Sequence, residues 1–447
     1  MLNLRDEITC IYCWARFAPE EVLWVSEHRD LLGDPLLGSE AQLRFLPTRF
    51  DVAGNAVDGR GETCRDLACP ACHLTVPRSL LVRQPYFVSI LGTPSCGKSF
   101  YLAALATKLR RSLPTRFRLS FSDADLATNL PLARHEEQLF VNDAPDRPVA
   151  LADLIPKTQL QGDSYFRVRS GENVVSYPRG FSFLLEPLER HPSFALRERL
   201  RRLLVFYDNA GEHFLPGQDS FHAPGTRHMA ESEFLLFLFD PTQDPRWHQA
   251  MRRAMPDVAM PSTRNSGRQE SVLREAANRI RRLLKIAETA RIDRPLIVAV
   301  NKADVWKPML GGTQLERVIF ETKLGIDGLN AAEIERQSGL LRGLLEQHVP
   351  EVCLAAESFS KRVYYVPVSA LGAAPTYDEQ GRASIRPASI DPWNVMTPFL
   401  LGLNVSANGY VARFADDGAA PVVNGRTGRA HDAAADAAGR DSVENHA

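Results

Sequence analysis

Tyr86-Phe87-Val88-Ser89-Ile90-Leu91-Gly92-Thr93-Pro94-Ser95-Cys96-Gly97-Lys98-Ser99 is the stretch whose reading decides the fold. Its first six residues are an apolar run of strand length, and its last eight match a phosphate-binding loop, G-x-x-x-x-G-K-[ST]. Beyond it Leu102, Leu105, Ala106, Leu109 and Leu113 recur at helical spacing until Pro114 stops the pattern. Strand, loop and helix in that order are the context the motif requires. Gly92 and Gly97 let successive N–H groups turn towards phosphate oxygens, and the N-terminus of the helix adds positive potential there. Lys98 is expected to reach the β- and γ-phosphates, and the Ser99 hydroxyl to ligate Mg²⁺. Thr93, Pro94, Ser95, Cys96 and Phe100 complete the nucleotide-contacting stretch. Cys96 reads as a small filler, with a reactive thiol at a helix N-terminus as the alternative.

The chain has 447 residues, 44% of them hydrophobic, enough for a sizeable core, and a length that suggests about three domains. A formal net charge of −1 disfavours nucleic acid as a general partner, because non-specific binding to a polyanion needs a surplus of Lys and Arg. The first residues lack an apolar signal core, and the densest apolar run, Phe234 to Phe239, is far too short to span a bilayer. These features predict a soluble cytoplasmic protein without a membrane partner.

Seven cysteines, four of them in two Cys-x-x-Cys pairs, suit metal ligation in a reducing compartment better than a disulfide framework. The pairs are Cys10/Cys13 and Cys69/Cys72, which together offer four thiolates to one tetrahedral Zn²⁺. Residues 14 to 68 exceed an ordinary ribbon spacing, so an inserted subdomain is expected, with Leu23, Trp24, Val25 and Leu43, Phe45, Leu46 as strands. The segment 1–84 thus resembles a zinc ribbon with an insertion. Cys64 and His73 are alternative ligands. Nine arginines, no lysine and twelve acids make this segment acidic, which favours a structural or protein-docking role over nucleic-acid contact. Because the ligands precede the first strand of the nucleotide fold, loss of Cys69 and Cys72 is expected to leave nucleotide binding mostly intact.

Further on, Leu203 to Asp208 is a buried-strand pattern running into Asp208-Asn209-Ala210-Gly211. At the strand's end Asp208 would hold Mg²⁺ through water, and the Gly211 N–H would meet the γ-phosphate. Two more apolar runs follow, Phe234 to Phe239 and Leu296 to Val300, the latter leading into Asn301-Lys302-Ala303-Asp304. A carboxylate accepts hydrogen bonds from both N1–H and the 2-amino group of guanine, whereas adenine offers an acceptor at N1 and no 2-amino group. Asp304 is therefore the guanine reader; Lys302 would cover the base and Asn301 would tie this loop to the phosphate loop. The last run, Val363 to Val368, leads into Ser369-Ala370-Leu371, where the Ala370 N–H would donate to guanine O6. Pro367 lacks a ladder donor, which predicts an edge strand.

Taken in order, these four motifs resemble the TRAFAC class of P-loop GTPases, which includes Ras-like and translation-factor GTPases. The resemblance covers roughly residues 85 to 403 and implies an α/β fold, a G domain with a mixed, mainly parallel sheet and helices on both faces. It also implies GTP and Mg²⁺ as cofactors and switching through loops that the γ-phosphate holds. Two departures stand out. Ser99 and Asp208 are 109 residues apart, so the first switch carries an insertion. Thr158 is the candidate Mg²⁺-binding threonine, ahead of an expected hairpin of Tyr165 to Arg169 with Phe181 to Leu185, turned near Gly171. Glu212 follows Gly211 where Ras-like members carry a water-positioning glutamine, which implies slow or partner-stimulated turnover.

Val272, Ala276, Ile280, Leu283 and Ala287 form a helical apolar stripe whose other face, Arg274, Arg279, Arg281, Arg282 and Lys285, reads as solvated or as a docking face for an acidic partner. Further helices are expected at about 331–348 and 393–403. The boundaries are thus 1–84 for the zinc-ribbon-like segment, 85–412 for the GTPase domain and 413–447 for a disordered tail. The reading is a GTP-hydrolysing switch, with a GTP-binding scaffold that docks through the ribbon as the alternative.

Overall fold

The computed structural model describes residues 4–155, 165–171, 173–208, 226–254, 268–310, 313, 315, 318–321, 325–378, 380 and 382–414. Its centre is a seven-stranded sheet of β1 (Gln84–Leu91), β2 (Leu119–Asp123), β3 (Gly180–Pro187), β4 (Arg202–Asp208), β5 (Phe234–Phe239), β6 (Leu296–Val300) and β7 (Val363–Pro367). The spatial order is β2-β3-β4-β1-β5-β6-β7. The last five are mutually parallel, and β3 alone runs against its neighbours, so the sheet is mixed and mainly parallel. Strands buried on both faces carry unbroken apolar runs, as Phe234–Phe239 and Leu296–Val300 do. β7 lies at the edge, where the missing donor of Pro367 costs no ladder bond.

One face packs on α1 (Lys98–Ser112), α2 (Leu126–Phe140) and α6 (Met396–Ser406), through Val88, Ile90, Leu204, Phe206, Leu236 and Ile297. The other face divides. Under β5, β6 and β7 it is covered by α3 (Gln269–Leu284), α4 (Ala331–His348) and α5 (Pro350–Phe359). Under β4 and β1 the cover is the cysteine-bearing segment: Phe87, Leu203, Val205 and Tyr207 share one apolar cluster with Ile8, Tyr12, Trp14, Leu67 and Leu74. Within that segment Leu23–Val25 pairs with Arg44–Phe45 and with Leu67–Ala68, which pairs in turn with Thr75–Val76. Trp24 stands opposite Phe45; the first expected strand is present, and the second is confined to Arg44–Phe45, with Leu43 and Leu46 outside it.

Several expectations need correction. Tyr165–Ser170 pairs with Asn173–Pro178, and Phe181–Leu185 belongs to β3 instead. Gly171, at φ 61°, lies where the ladder ends with Ser170 opposite Asn173, while Phe183 and Leu185 are fully buried on the central sheet. The arginine face of α3 is partly internal: Arg279 and Arg281 are buried. Arg279 Nε donates to Glu275 at 2.6 Å, and Arg281 donates to the carbonyls of Ala290 and Ser358 at 2.9 and 2.8 Å. α3 also stops at Leu284, with Lys285 left-handed at φ 53°, so Ala287 lies beyond it. The last helix begins at Met396 rather than Trp393.

Gly402 sits where α6 crosses β5, and a Cβ there would meet the Phe234 ring at 2.3 Å. That ring is held by Tyr86 and Phe399 and cannot turn aside. Gly402→Ala should therefore lose stability by about 1–3 kcal/mol, although alanine is the better helix former. Urea unfolding checks the sign.

Candidate functional site

The phosphate loop joins β1 to α1 at the C-terminal ends of the parallel strands, where open α/β sheets bind ligands. Gly92, at φ 155°, has no room for a side chain: a Cβ would lie 2.6 Å from Cys96 Sγ and 2.8 Å from the Leu238 carbonyl oxygen. Gly97 is left-handed at φ 95° and supplies the turn into α1. Lys98 Nζ lies back along the loop, donating to the carbonyls of Gly92 at 3.0 Å and Thr93 at 2.8 Å. Thr93 Oγ1 donates to Gln243 at 3.1 Å, and Gln243 Nε2 to the Pro94 carbonyl at 3.4 Å, which fastens the loop to the segment after β5. Cys96 is wholly buried, and burial pushes its thiol up, so it fills space.

Ser99 Oγ donates to Asp208 Oδ2 at 2.6 Å, which brings together the two residues expected at Mg²⁺. A hydroxyl and a carboxylate at the end of the phosphate loop are hard oxygen donors of the kind that ion takes. Asn301 Nδ2 donates to the Cys96 carbonyl at 3.0 Å, joining the Asn301-Lys302-Ala303-Asp304 loop to the phosphate loop. Asp304 Oδ1 accepts from the Ser369 hydroxyl, and Ser369 Oγ in turn accepts from the Gly372 N–H at 2.8 Å. Burial pushes the Asp304 carboxyl up, with Ser369 holding it down only in part. Lys302 Nζ pairs with Asp240 at 2.6 Å and donates to Thr242 at 3.0 Å. Burial works to lower the Lys302 ammonium, but Asp240 more than reverses it and leaves it raised. Ser369 exchanges two backbone hydrogen bonds with Trp393, at 3.0 and 2.9 Å, so the Ser369-Ala370-Leu371 turn is held from behind. Ser95 and Phe100 flank the same loop-to-helix junction.

The expected positions Thr158, Gly211 and Glu212 lie outside the described residues. Three contributors escaped the sequence reading: Asp240 and Gln243 after β5, and Trp393 behind Ser369. Asp240 directly after an apolar run was a usable signal; the other two carry none.

A second centre lies against β4 and β1. The sulfurs of Cys10, Cys13, Cys69 and Cys72 lie within 4.8 Å of one another and are buried, with Cys10 to Cys72 at 3.8 Å and Cys13 to Cys69 at 3.7 Å. Four thiolates around a tetrahedral Zn²⁺ at 2.3 Å stand about 3.8 Å apart, so the donor set fits that ion. Each pair forms a knuckle. Tyr12 N donates to Cys10 Sγ at 3.3 Å and Ala71 N to Cys69 Sγ at 3.4 Å, and the residues after each pair, Trp14 and His73, are left-handed. Burial, then the neighbouring thiols, pushes the Cys10 thiol well above its usual range, so a cation is needed to hold four thiolates here. Among the described residues the two alternative ligands are engaged elsewhere: His73 Nδ1 meets Asp34 at 2.7 Å and Cys64 Sγ meets the Glu62 carbonyl at 3.7 Å.

No family model matches the chain. Over 247 residues it is 26% identical to a Mycolicibacterium smegmatis protein named "Putative ESX-1 scaffolding and assembly protein SaeC", an alignment covering 52% of this chain and 57% of that relative. Solved structures similar to it include sup35 complexed with GDP (10% identity, 67% of this chain and 41% of that one, TM-score 0.21). Others are the GTP-bound Ski7 GTPase-like domain of S. cerevisiae (11%, 73% and 51%, 0.26) and the Chaetomium thermophilum signal recognition particle receptor complex SRb-GTP/SRX (11%, 65% and 95%, 0.20). Among the described residues no helix is long and apolar enough to cross a membrane.

Metal analysis of freshly purified protein should give one Zn²⁺ per chain, and Cys10→Ser should lower it sharply. Protein without metal would contradict the centre.

Proposed function

We propose that the chain is a guanine-nucleotide switch of the TRAFAC kind, binding Mg·GTP and hydrolysing it slowly or with help from a protein partner. The observation that carries this reading is the meeting of four sequence-distant stretches at one end of the sheet: Ser99 with Asp208, Asn301 with Cys96, and Asp304 with Ser369. The loop N–H groups and Lys98 would hold the phosphates, and Ser99 and Asp208 would hold Mg²⁺, which would offset phosphate charge there. Asp304 would accept from guanine N1–H and its 2-amino group, Lys302 would cover the base while Asp240 anchors its ammonium, and Ala370 N–H would donate to O6. Thr158 and Gly211 are proposed as the switch contacts, and Glu212 as the acceptor that orients the attacking water. A scaffold that binds GTP with little turnover is the second reading, favoured by the scaffolding role in the name of the M. smegmatis relative.

Base choice tests the site. GTP should compete with a bound fluorescent GTP analogue at least about 10⁴-fold better than ATP, and Asp304→Asn should shift preference towards xanthine nucleotide. Equal competition by ATP refutes the guanine assignment.

Turnover separates the two readings. Lys98→Ala should abolish productive phosphate binding, whereas Glu212→Ala should keep GTP affinity within several-fold and slow single-turnover cleavage; Glu212→Gln should retain it. Unmodified protein that binds GTP but never cleaves it, with or without cell extract, supports the scaffold.

A further inference from the structure

Tyr207 is the residue before Asp208, and it is fully buried against the first cysteine knuckle. Its hydroxyl is used twice there: it donates to the Ile11 carbonyl at 2.7 Å and accepts from the Trp14 indole N–H at 3.2 Å. Ile11 lies between Cys10 and Cys13, and Trp14 follows Cys13 in a left-handed conformation. An L-residue holds that conformation at a cost, so the turn that presents the indole depends on the knuckle around it. The Tyr207 ring also stacks on His228, with centroids 4.5 Å apart, and Trp14 leans on both rings at 5.9 Å.

β1 is held at the same place. Ser89 is the cross-strand partner of Tyr207, and its hydroxyl meets His228 Nδ1 and, at 2.6 Å, the Ser232 hydroxyl. Ser232 donates to the His228 carbonyl at 2.9 Å. Each of these three contacts carries a proton only if Ser89 donates to Ser232 and His228 holds its hydrogen on Nδ1. The knuckle, His228, β4 and β1 are thereby one continuous polar and aromatic network without a gap. Ser89 lies three residues before Gly92, and Tyr207 one before the carboxylate that accepts from Ser99.

We propose that Trp14 and Tyr207 are positioning residues for Asp208: the metal-bound cysteine knuckle fixes the end of β4, and through it the Mg²⁺-binding carboxylate, so that thiolate-metal occupancy and Mg²⁺-dependent nucleotide binding are energetically coupled. The inference rests on the guanine-nucleotide reading above. Coupling of this kind is reciprocal, so bound Mg·GTP must also tighten the binding of metal to the thiolates by the same factor. It replaces the expectation that loss of Cys69 and Cys72 leaves nucleotide binding mostly intact, because the thiolate knuckle and β4 share one core.

The test titrates MgCl₂ against binding of a fluorescent GTP analogue to full-length protein. Tyr207→Phe keeps the ring stack and removes both hydroxyl contacts; Trp14→Phe removes the indole donor together with part of its ring packing and serves if the first variant folds poorly, as judged by thermal melting. Each should raise the Mg²⁺ half-saturation several-fold while leaving binding in the absence of Mg²⁺ unchanged. Stripping the thiolate metal with a chelator selective for Zn²⁺ over Mg²⁺ should raise half-saturation in the unmodified protein and add little in Tyr207→Phe. Zn²⁺ affinity, read by equilibrium competition with a chromogenic indicator, should rise on adding Mg·GTP in the unmodified protein only. An unchanged Mg²⁺ half-saturation in both variants, or equal chelator effects in variant and unmodified protein, overturns the coupling. Failure of the unmodified protein to bind any guanine nucleotide instead overturns the functional reading, and this inference with it.

Discussion

The site depends first on the register of β4 against β1. Asp208 stands opposite Ile90 and Tyr207 opposite Ser89, so the carboxylate emerges beside the loop that begins at Gly92. Side chains alternate faces along a strand, and a slip of one residue would send Asp208 to the wrong side and Tyr207 into the place of an apolar neighbour. The register is fixed from both faces, because Leu204 and Phe206 pack towards α1 and α6 while Leu203, Val205 and Tyr207 pack towards the cysteine segment. The position of one carboxylate is therefore the outcome of packing on two faces, although its own chemistry needs only one.

The division of the second face follows from the same arithmetic. A strand apolar on both sides must be covered on both. Helices cover β5 to β7, and the strands β4 and β1 are covered by a small module whose own strands, apart from Gly38–Gln42, are two to three residues long. Elements that short contribute little ladder stabilisation, and the four buried sulfurs stand where a larger module would have a core. The left-handed residues after each cysteine pair, Trp14 and His73, point to the same economy: one turns its ring onto the sheet and the other its imidazole onto Asp34.

Most of what positions the site was legible in the sequence, because it is local. An apolar run five to eight residues long followed by a polar motif sets both the strand and where it ends, as at Gly92, Asp208 and Asn301. Both cysteine pairs were readable as one centre for the same reason, since ligand spacing within a knuckle is a local property. What could not be read is pairing across distance. β2 is a short, half-alternating segment, Leu119–Asp123, whose partner β3 lies some sixty residues on, and nothing in either stretch encodes their register. The hairpin after Tyr165 was misjudged because both the half-exposed Asn173–Pro178 and the buried Gly180–Pro187 have strand composition, and only burial chooses between them. Likewise Arg279 and Arg281 look like solvent-facing charge until a carboxylate and two carbonyls meet them inside.

The shared core under β4 also sets an order of events during synthesis. Both cysteine pairs have left the ribosome once residue 72 has emerged, yet the apolar surface around them is completed only by Leu203, Val205 and Tyr207. At a translation rate of ~5–20 residues per second that interval lasts on the order of ten seconds. During it the nascent segment holds Tyr12, Trp14 and four clustered cysteines whose apolar cover has not yet been made. The contacts at the other end of the sheet close later still, because Asp304 meets Ser369 only once residue 369 has been made.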